Sequence, residues 1–144
     1  MENIDARLTA LRPRLEQHAD QPLLDGEWRV RDALSHLAAR SNPVPNVLRR
    51  LTAHEAGVSV PRPDIHEVNA GQVEERADRP IGEIIDEMQA GHRAAIAALP
   101  GADVLARMLP AFQGGEITVG ETVVRSGPGH ENNHLDEVER ALNA

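Results

Sequence analysis

Two histidines set four residues apart, His130 and His134, are the first feature of this chain with chemistry in it. On a helix, residues at i and i+4 project from one face, one turn apart. Two imidazoles so placed can chelate one metal ion with bonds of about 2.0–2.1 Å. Two ligands make a weak site, and a third has to come from another element. His36 is the best candidate, because it flanks the apolar face of a separate predicted helix. Three protein ligands leave a coordination position open, which is the arrangement of a catalytic rather than a structural metal. The run His130-Glu131-Asn132-Asn133-His134 also spells the H-E-x-x-H signature of zinc peptidases. Those enzymes take their third ligand from further along the chain, and the ten residues after His134 hold no histidine. The peptidase reading is set aside on that ground.

Other residues around these three have two readings each. Glu131 is a candidate proton carrier beside the metal, or an acid that complements the dipole at the first turn of its helix. His92 lies on an apolar helical stripe. It is either a buried neutral imidazole bonded to a carbonyl or an acid–base group that reaches the pocket. Arg40 follows His36 by one turn on the same face, where it would meet an anionic substrate or else solvent. Trp28 is a hydrophobic anchor or a substrate contact. Asp32 either orients a ligand imidazole or is an early-turn acid. His54 and His66 sit in or near an irregular stretch and are expected to face solvent.

Helical periodicity supplies the elements that must position these side chains. Ile4, Leu8, Leu11 and Leu15 form one amphipathic stripe, with Pro13 inside it as a candidate kink. QPLLDGE reads as a loop. A second helix starts near Trp28 and buries Ala33, Leu34, Leu37 and Ala38. Pro43 and Pro45 disturb it, and it resumes through Val47, Leu48 and Leu51. From Gly57 to Pro80 the chain is loop-like, marked by Pro61, Pro63 and Gly71, with a short helix around Glu67 to Arg76. The third helix has the clearest stripe: Ile81, Ile84, Ile85, Met88, His92, Ala95, Ile96 and Leu99. Pro100 and Gly101 stop it. A fourth begins near Thr118, where Thr118 and Glu121 suit a capping box. Ser126-Gly127-Pro128-Gly129 interrupts it, and it runs on from His130 to Leu142. Ile117-Thr118-Val119 alternates like a strand but is too short to seed a sheet. Four helices with one long connection suggest an all-α bundle with a crossover.

Composition narrows the class. The 144 residues suit one domain spanning 1–144. There is no cysteine, which removes disulfides, thiolate metal sites and a cysteine nucleophile. The absence of lysine removes a Schiff base. A net charge of −8 argues against nucleic acid. No apolar run approaches the length of a membrane span, and MENIDARL lacks a signal-peptide core. The expectation is a soluble cytoplasmic protein acting on a small molecule.

Two segments resemble a known group. Trp28-Arg29-Val30-Arg31-Asp32-Ala33-Leu34-Ser35-His36-Leu37 is similar to the W-x-V-x-D-x-L-x-H-L opening of helix two in the DinB/YfiT-like superfamily, which includes the N-terminal domain of mycothiol-dependent maleylpyruvate isomerase. Gly129-His130 through His134 and Val138 resembles its last-helix pattern. The resemblance implies a four-helix bundle in up-down-down-up order, with the long crossover between helices two and three. It implies a divalent metal, zinc or nickel, held by His36, His130 and His134. It also implies a thiol S-transferase or isomerase that uses a low-molecular-weight thiol such as mycothiol, and an assembly that is often a homodimer. Pro43 and Pro45 depart from the pattern, since members continue helix two there.

The expectation is therefore a metal-dependent enzyme that joins a small thiol to an electrophile or isomerises one with it. His36, His130 and His134 are the ligands, Glu131 or His92 the proton carrier, and Arg40 and Trp28 the substrate contacts. Hydrolysis by metal-bound water, non-catalytic binding of a toxic metabolite, and a metal that only stabilises the fold are the alternatives.

Overall fold

The computed structural model describes residues 1–24, 26–60 and 63–144; of the loop positions named above, Asp25 and Pro61 lie outside these. The chain is mostly helical. In order it forms α1 (Glu2–Gln17), α2 (Val30–Ala39), α3 (Val44–Glu55), α4 (Ile65–Glu75), α5 (Ile81–Ala98) and α6 (Ala102–Leu105). Strands β1 (Met108–Pro110) and β2 (Glu116–Thr118) follow, then α7 (Val119–Val124), a π-helical segment (Arg125–Gly129) and α8 (His130–Leu142).

The main core is the shared interior of α1, α2, α5 and α8. Ile4, Leu8, Leu11 and Leu15 meet Ala33, Leu34 and Leu37, Ile84, Ile85 and Met88, and Leu135 and Val138. These are the stripes read from the periodicity, and α1 runs unbroken through Pro13. A second cluster joins Val44, Val47 and Leu51 of α3 to Ala95, Leu109, Val119 and Val123. Helix α5 serves both. Its stripe ends sooner than the spacing suggests, because Ile96 and Leu99 are 47% and 46% exposed.

Two further expectations are corrected, and one is borne out. Helix two does not resume after its prolines; α3 is a separate helix whose Pro45 sits in the first turn, where no N–H is needed. Among the described residues, the stretch from Gly57 to Pro80 is loop around α4, the short helix expected near Glu67 to Arg76. Ile117-Thr118 does pair: β2 lies antiparallel to β1, with Leu109 opposite Ile117. The left-handed glycines Gly114 and Gly115 supply the turn, a conformation glycine adopts without strain.

Helix ends are set locally. Asp32 Oδ2 accepts from the Arg29 N–H at 3.0 Å and fixes the start of α2. Asp64 accepts from the His66 N–H, and Thr118 Oγ1 accepts from the Glu121 N–H at 3.0 Å. Where α2 ends, Ser41 packs against α5 so closely that a Cβ on Gly91 would stand 1.8 Å from the Ser41 Oγ and 2.6 Å from its Cβ.

That approach makes Gly91 irreplaceable by any residue with a side chain. Alanine favours a helix interior over glycine by about 1 kcal/mol, yet overpacking of this kind costs about 1–3 kcal/mol. Gly91→Ala should lower the melting temperature, and adding Ser41→Gly should restore most of the loss, both read by thermal unfolding.

Candidate metal centre

The π-helical segment delivers the chain into α8 at His130. Segments of this kind widen the helix by one residue per turn and often precede functional positions. From there the helix splits its faces. Leu135 and Val138 point into the core, and Glu131, one turn before Leu135, is buried with them at 0% exposure. His130 and His134 share the other side and turn towards α2.

There the three predicted histidines meet. His130 Nε2 lies 3.2 Å from His36 Nε2 and 3.2 Å from His134 Nε2. One ring nitrogen from each falls within 4.8 Å of the others. A tetrahedral ion with bonds of about 2.0–2.1 Å holds its ligand atoms about 3.3 Å apart, so the spacing fits a single ion. The protonation pattern fits too. His36 Nδ1 donates to Gln72 Oε1 at 2.7 Å, which leaves its Nε2 as a lone pair. Arg40 Nη1 donates to His130 Nε2 at 3.4 Å, which asks for a lone pair there as well. Nδ1 of His130 and of His134 are buried without a hydrogen-bond partner. Burial, aided by the neighbouring cation and imidazoles, lowers His130 to about 3 and His36 to about 4. Neutral imidazoles whose lone pairs converge are a donor set that a divalent cation completes.

The surroundings differ from expectation. Trp28 is half-buried, packs on the main core and walls the cluster, its ring centroid 5.2 Å from that of His36 and 6.1 Å from that of His134. Arg40 is half-buried, desolvation lowers its pKa, and no carboxylate pairs with it among the described residues. Asp32 does not orient an imidazole, because its carboxylate is taken up by the Arg29 backbone and guanidinium. Gln72 of α4 holds His36 instead. Sequence reasoning missed it; a glutamine in a short polar helix carries no periodic or motif signal, and only the fold of α4 onto α2 brings it there.

Glu131 and His92 come together with each other, not with the three histidines. His92 is 0% exposed. Its Nε2 lies 2.6 Å from Glu131 Oε2, and its Nδ1 lies 2.5 Å from Asp5 Oδ1. The expected neutral imidazole on a carbonyl is thus replaced by an imidazole between two carboxylates. Burial works against its charge, but bonds to Glu131 and Asp5 raise its pKa, while burial also raises that of Glu131. Glu131 is not a solvated first-turn acid either: its second oxygen is buried without a partner, and neither oxygen bonds to the metal-site histidines. His54 and His66 are exposed, as expected.

The sequence pattern of the family described as mycothiol maleylpyruvate isomerase N-terminal domain matches residues 1–126. The match includes Trp28, His36 and Arg40 and stops short of His130 and His134. No curated protein and no solved structure matches the chain.

Two outcomes follow from the electrostatics. His92→Ala leaves a buried carboxylate without its counter-charge and should cost about 3–5 kcal/mol of stability in denaturant titration. Histidines whose pKa is lower in the folded state than the ordinary 6.5 take up fewer protons than the unfolded chain does. The metal-free protein should therefore lose stability as pH falls from about 6.5 towards 4. A His36→Gln/His130→Gln variant should lose less over that window, read by chemical unfolding at each pH.

Proposed function

The chain belongs to the mycothiol maleylpyruvate isomerase N-terminal domain family, a DinB/YfiT-like group, and from that premise we propose that it is a metal-dependent enzyme joining a small thiol of the mycothiol type to an electrophile, or isomerising the electrophile with it. The observation that carries the reading is the convergence of three imidazole nitrogens beside a guanidinium that pairs with no carboxylate among the described residues. On this reading α1, α2, α5 and α8 are the four helices of a DinB-like bundle in up-down-down-up order, and His36, His130 and His134 hold zinc or nickel. When bound, such an ion supplies a Lewis acid that favours the thiolate over the thiol at neutral pH.

The chain's own residues do the rest. With no cysteine available, the sulfur must be brought by a co-substrate. Gln72 fixes the tautomer of His36 by accepting its Nδ1–H, the usual duty of a group behind a ligand. Arg40, with no acid of its own, binds the anionic group of the incoming molecule. Trp28 gives the site an apolar wall that keeps water from one side. Glu131 and His92 contribute by bracing α8 under its two histidines, through the buried pair with Asp5. A homodimer is the assembly we propose alongside.

Metal content by mass spectrometry tests the premise. The wild type, purified without a metal-binding tag, should carry about one equivalent, and a His130→Ala/His134→Ala variant none. With mycothiol and an anionic electrophile such as maleylpyruvate, the metal-loaded protein should consume thiol or convert the electrophile, and the double variant should not. Arg40→Gln should weaken an anionic substrate about tenfold or more, the scale of a charged hydrogen bond, and leave an uncharged electrophile unaffected. Absence of metal after reconstitution with zinc and nickel would end the proposal.

A further inference from the structure

The clustered imidazoles turn one nitrogen inward and one outward, and the outward nitrogens have different company. His36 Nδ1 donates to Gln72 Oε1 at 2.7 Å. His134 points its Nε2 at His130 Nε2, 3.2 Å away, and its Nδ1 is buried without a hydrogen-bond partner. A carboxylate stands just beyond bonding distance: Glu137 Oε2 lies 3.6 Å from that Nδ1. Among the described residues no other carboxylate comes within 4.0 Å of a ring nitrogen of the cluster. Glu137 follows His134 by three residues on α8, so the two side chains share a face. The Glu137 side chain is 39% exposed and enters no other hydrogen bond or ion pair among the described residues. Nothing else therefore competes for it.

The tautomer of His134 decides whether the cluster can take a cation. A neutral imidazole carries one N–H and one lone pair. With the proton on Nε2, His134 donates inward to His130 Nε2, and the third lone pair is lost to a bond within the cluster. That alternative has a ready acceptor, since His130 Nε2 already accepts from Arg40 Nη1 at 3.4 Å. With the proton on Nδ1, Nε2 of His134 faces the centre as a lone pair beside those of His36 and His130. An acceptor at Nδ1 favours this second form. Water does not serve, because the atom is shielded from it. A carboxylate does, and a hydrogen bond to an ionised partner is about twice as strong as a neutral one.

We propose that Glu137 is a positioning residue of this centre: its carboxylate accepts the Nδ1–H of His134 and so holds Nε2 as the third lone pair for a divalent cation. Gln72 does the same for His36 from another helix, so two of the three imidazoles are oriented from behind. A carboxylate in this position also makes the imidazole a more basic ligand, and it offsets part of the charge of an ion held by three neutral rings. The inference deepens the reading of the histidines as a metal centre and rests on it.

The test uses the full chain as wild type, Glu137→Ala and Glu137→Gln. Nitrogen-15 NMR of the histidine side chains in the metal-free protein, in mildly alkaline buffer, reads the tautomer directly. Wild type should hold His134 as the Nδ1–H form, and Glu137→Ala should move population to the Nε2–H form. Zinc affinity, measured by competition with a chromogenic chelator, should fall about 10- to 100-fold in Glu137→Ala, the usual effect of removing a group behind a ligand. Glu137→Gln keeps an acceptor oxygen and should recover part of both losses. The melting temperature of the metal-free protein should not fall in either variant, because Glu137 has no other partner to lose. An unchanged His134 tautomer in Glu137→Ala, or zinc bound as tightly by that variant as by wild type, would overturn the inference. If wild type takes up no metal while Glu137→Ala still shifts the tautomer, the metal-dependent function fails and the role of Glu137 in orienting His134 stands.

Discussion

Helix α8 opens by burying a carboxylate. Glu131 sits on the core face, one turn before Leu135, in a position where an isolated charge would be prohibitive. His92 of α5 meets it, and Asp5 of α1 meets His92 from the other side. Three helices that also share an apolar core are thereby tied through one imidazole with no rotational slack. Apolar packing alone would tolerate small slides of one helix along another, because it is non-directional. Two short hydrogen bonds to one ring do not. The register of α8 follows from this contact, and with it the direction in which His130 and His134 leave the helix.

The candidate metal centre inherits that precision on the neighbouring face. Consecutive residues of α8 point to different environments, Glu131 inward and His130 towards α2. The distances between the three imidazoles are therefore set by the same packing that buries the acid. The site itself is electrostatically incomplete. The three rings turn ring nitrogens on one another, with the Arg40 guanidinium 3.4 Å from His130 and the Glu137 carboxylate 3.6 Å from His134 Nδ1. That composition favours a cation at the centre and an anion beside Arg40, a division of labour suited to a charged electrophile or co-substrate.

The connection between α2 and α5 has a larger part than its composition suggests. Helix α4 holds to the rest through polar groups, Gln72 on His36 and Arg76 on Glu87, and contributes little to the core. A helix with that economy is free to serve the pocket. Its inward face carries Gln72, which orients His36 without adding charge.

The sequence by itself determined which residues could chelate and which helices could carry them. His130 and His134 are legible because a four-residue spacing has one meaning on a helix, and His36 because it flanks an apolar stripe whose period is local. The stripes of α1, α2, α5 and α8 were legible for the same reason. Gln72 and Asp5 were not, since each acts across 36 residues or more. The hairpin of β1 and β2 was dismissed because the alternation of Ile117-Thr118-Val119 is too short to signal a sheet, and the glycine turn has meaning only once the strands pair. The roles of His92 and Glu131 were undecided in sequence: a histidine on an apolar stripe and an acid in a first turn are each unremarkable alone. Only the tertiary structure, by placing them 2.6 Å apart out of reach of water, made them a coupled pair, because the cost of burying either one depends on the presence of the other.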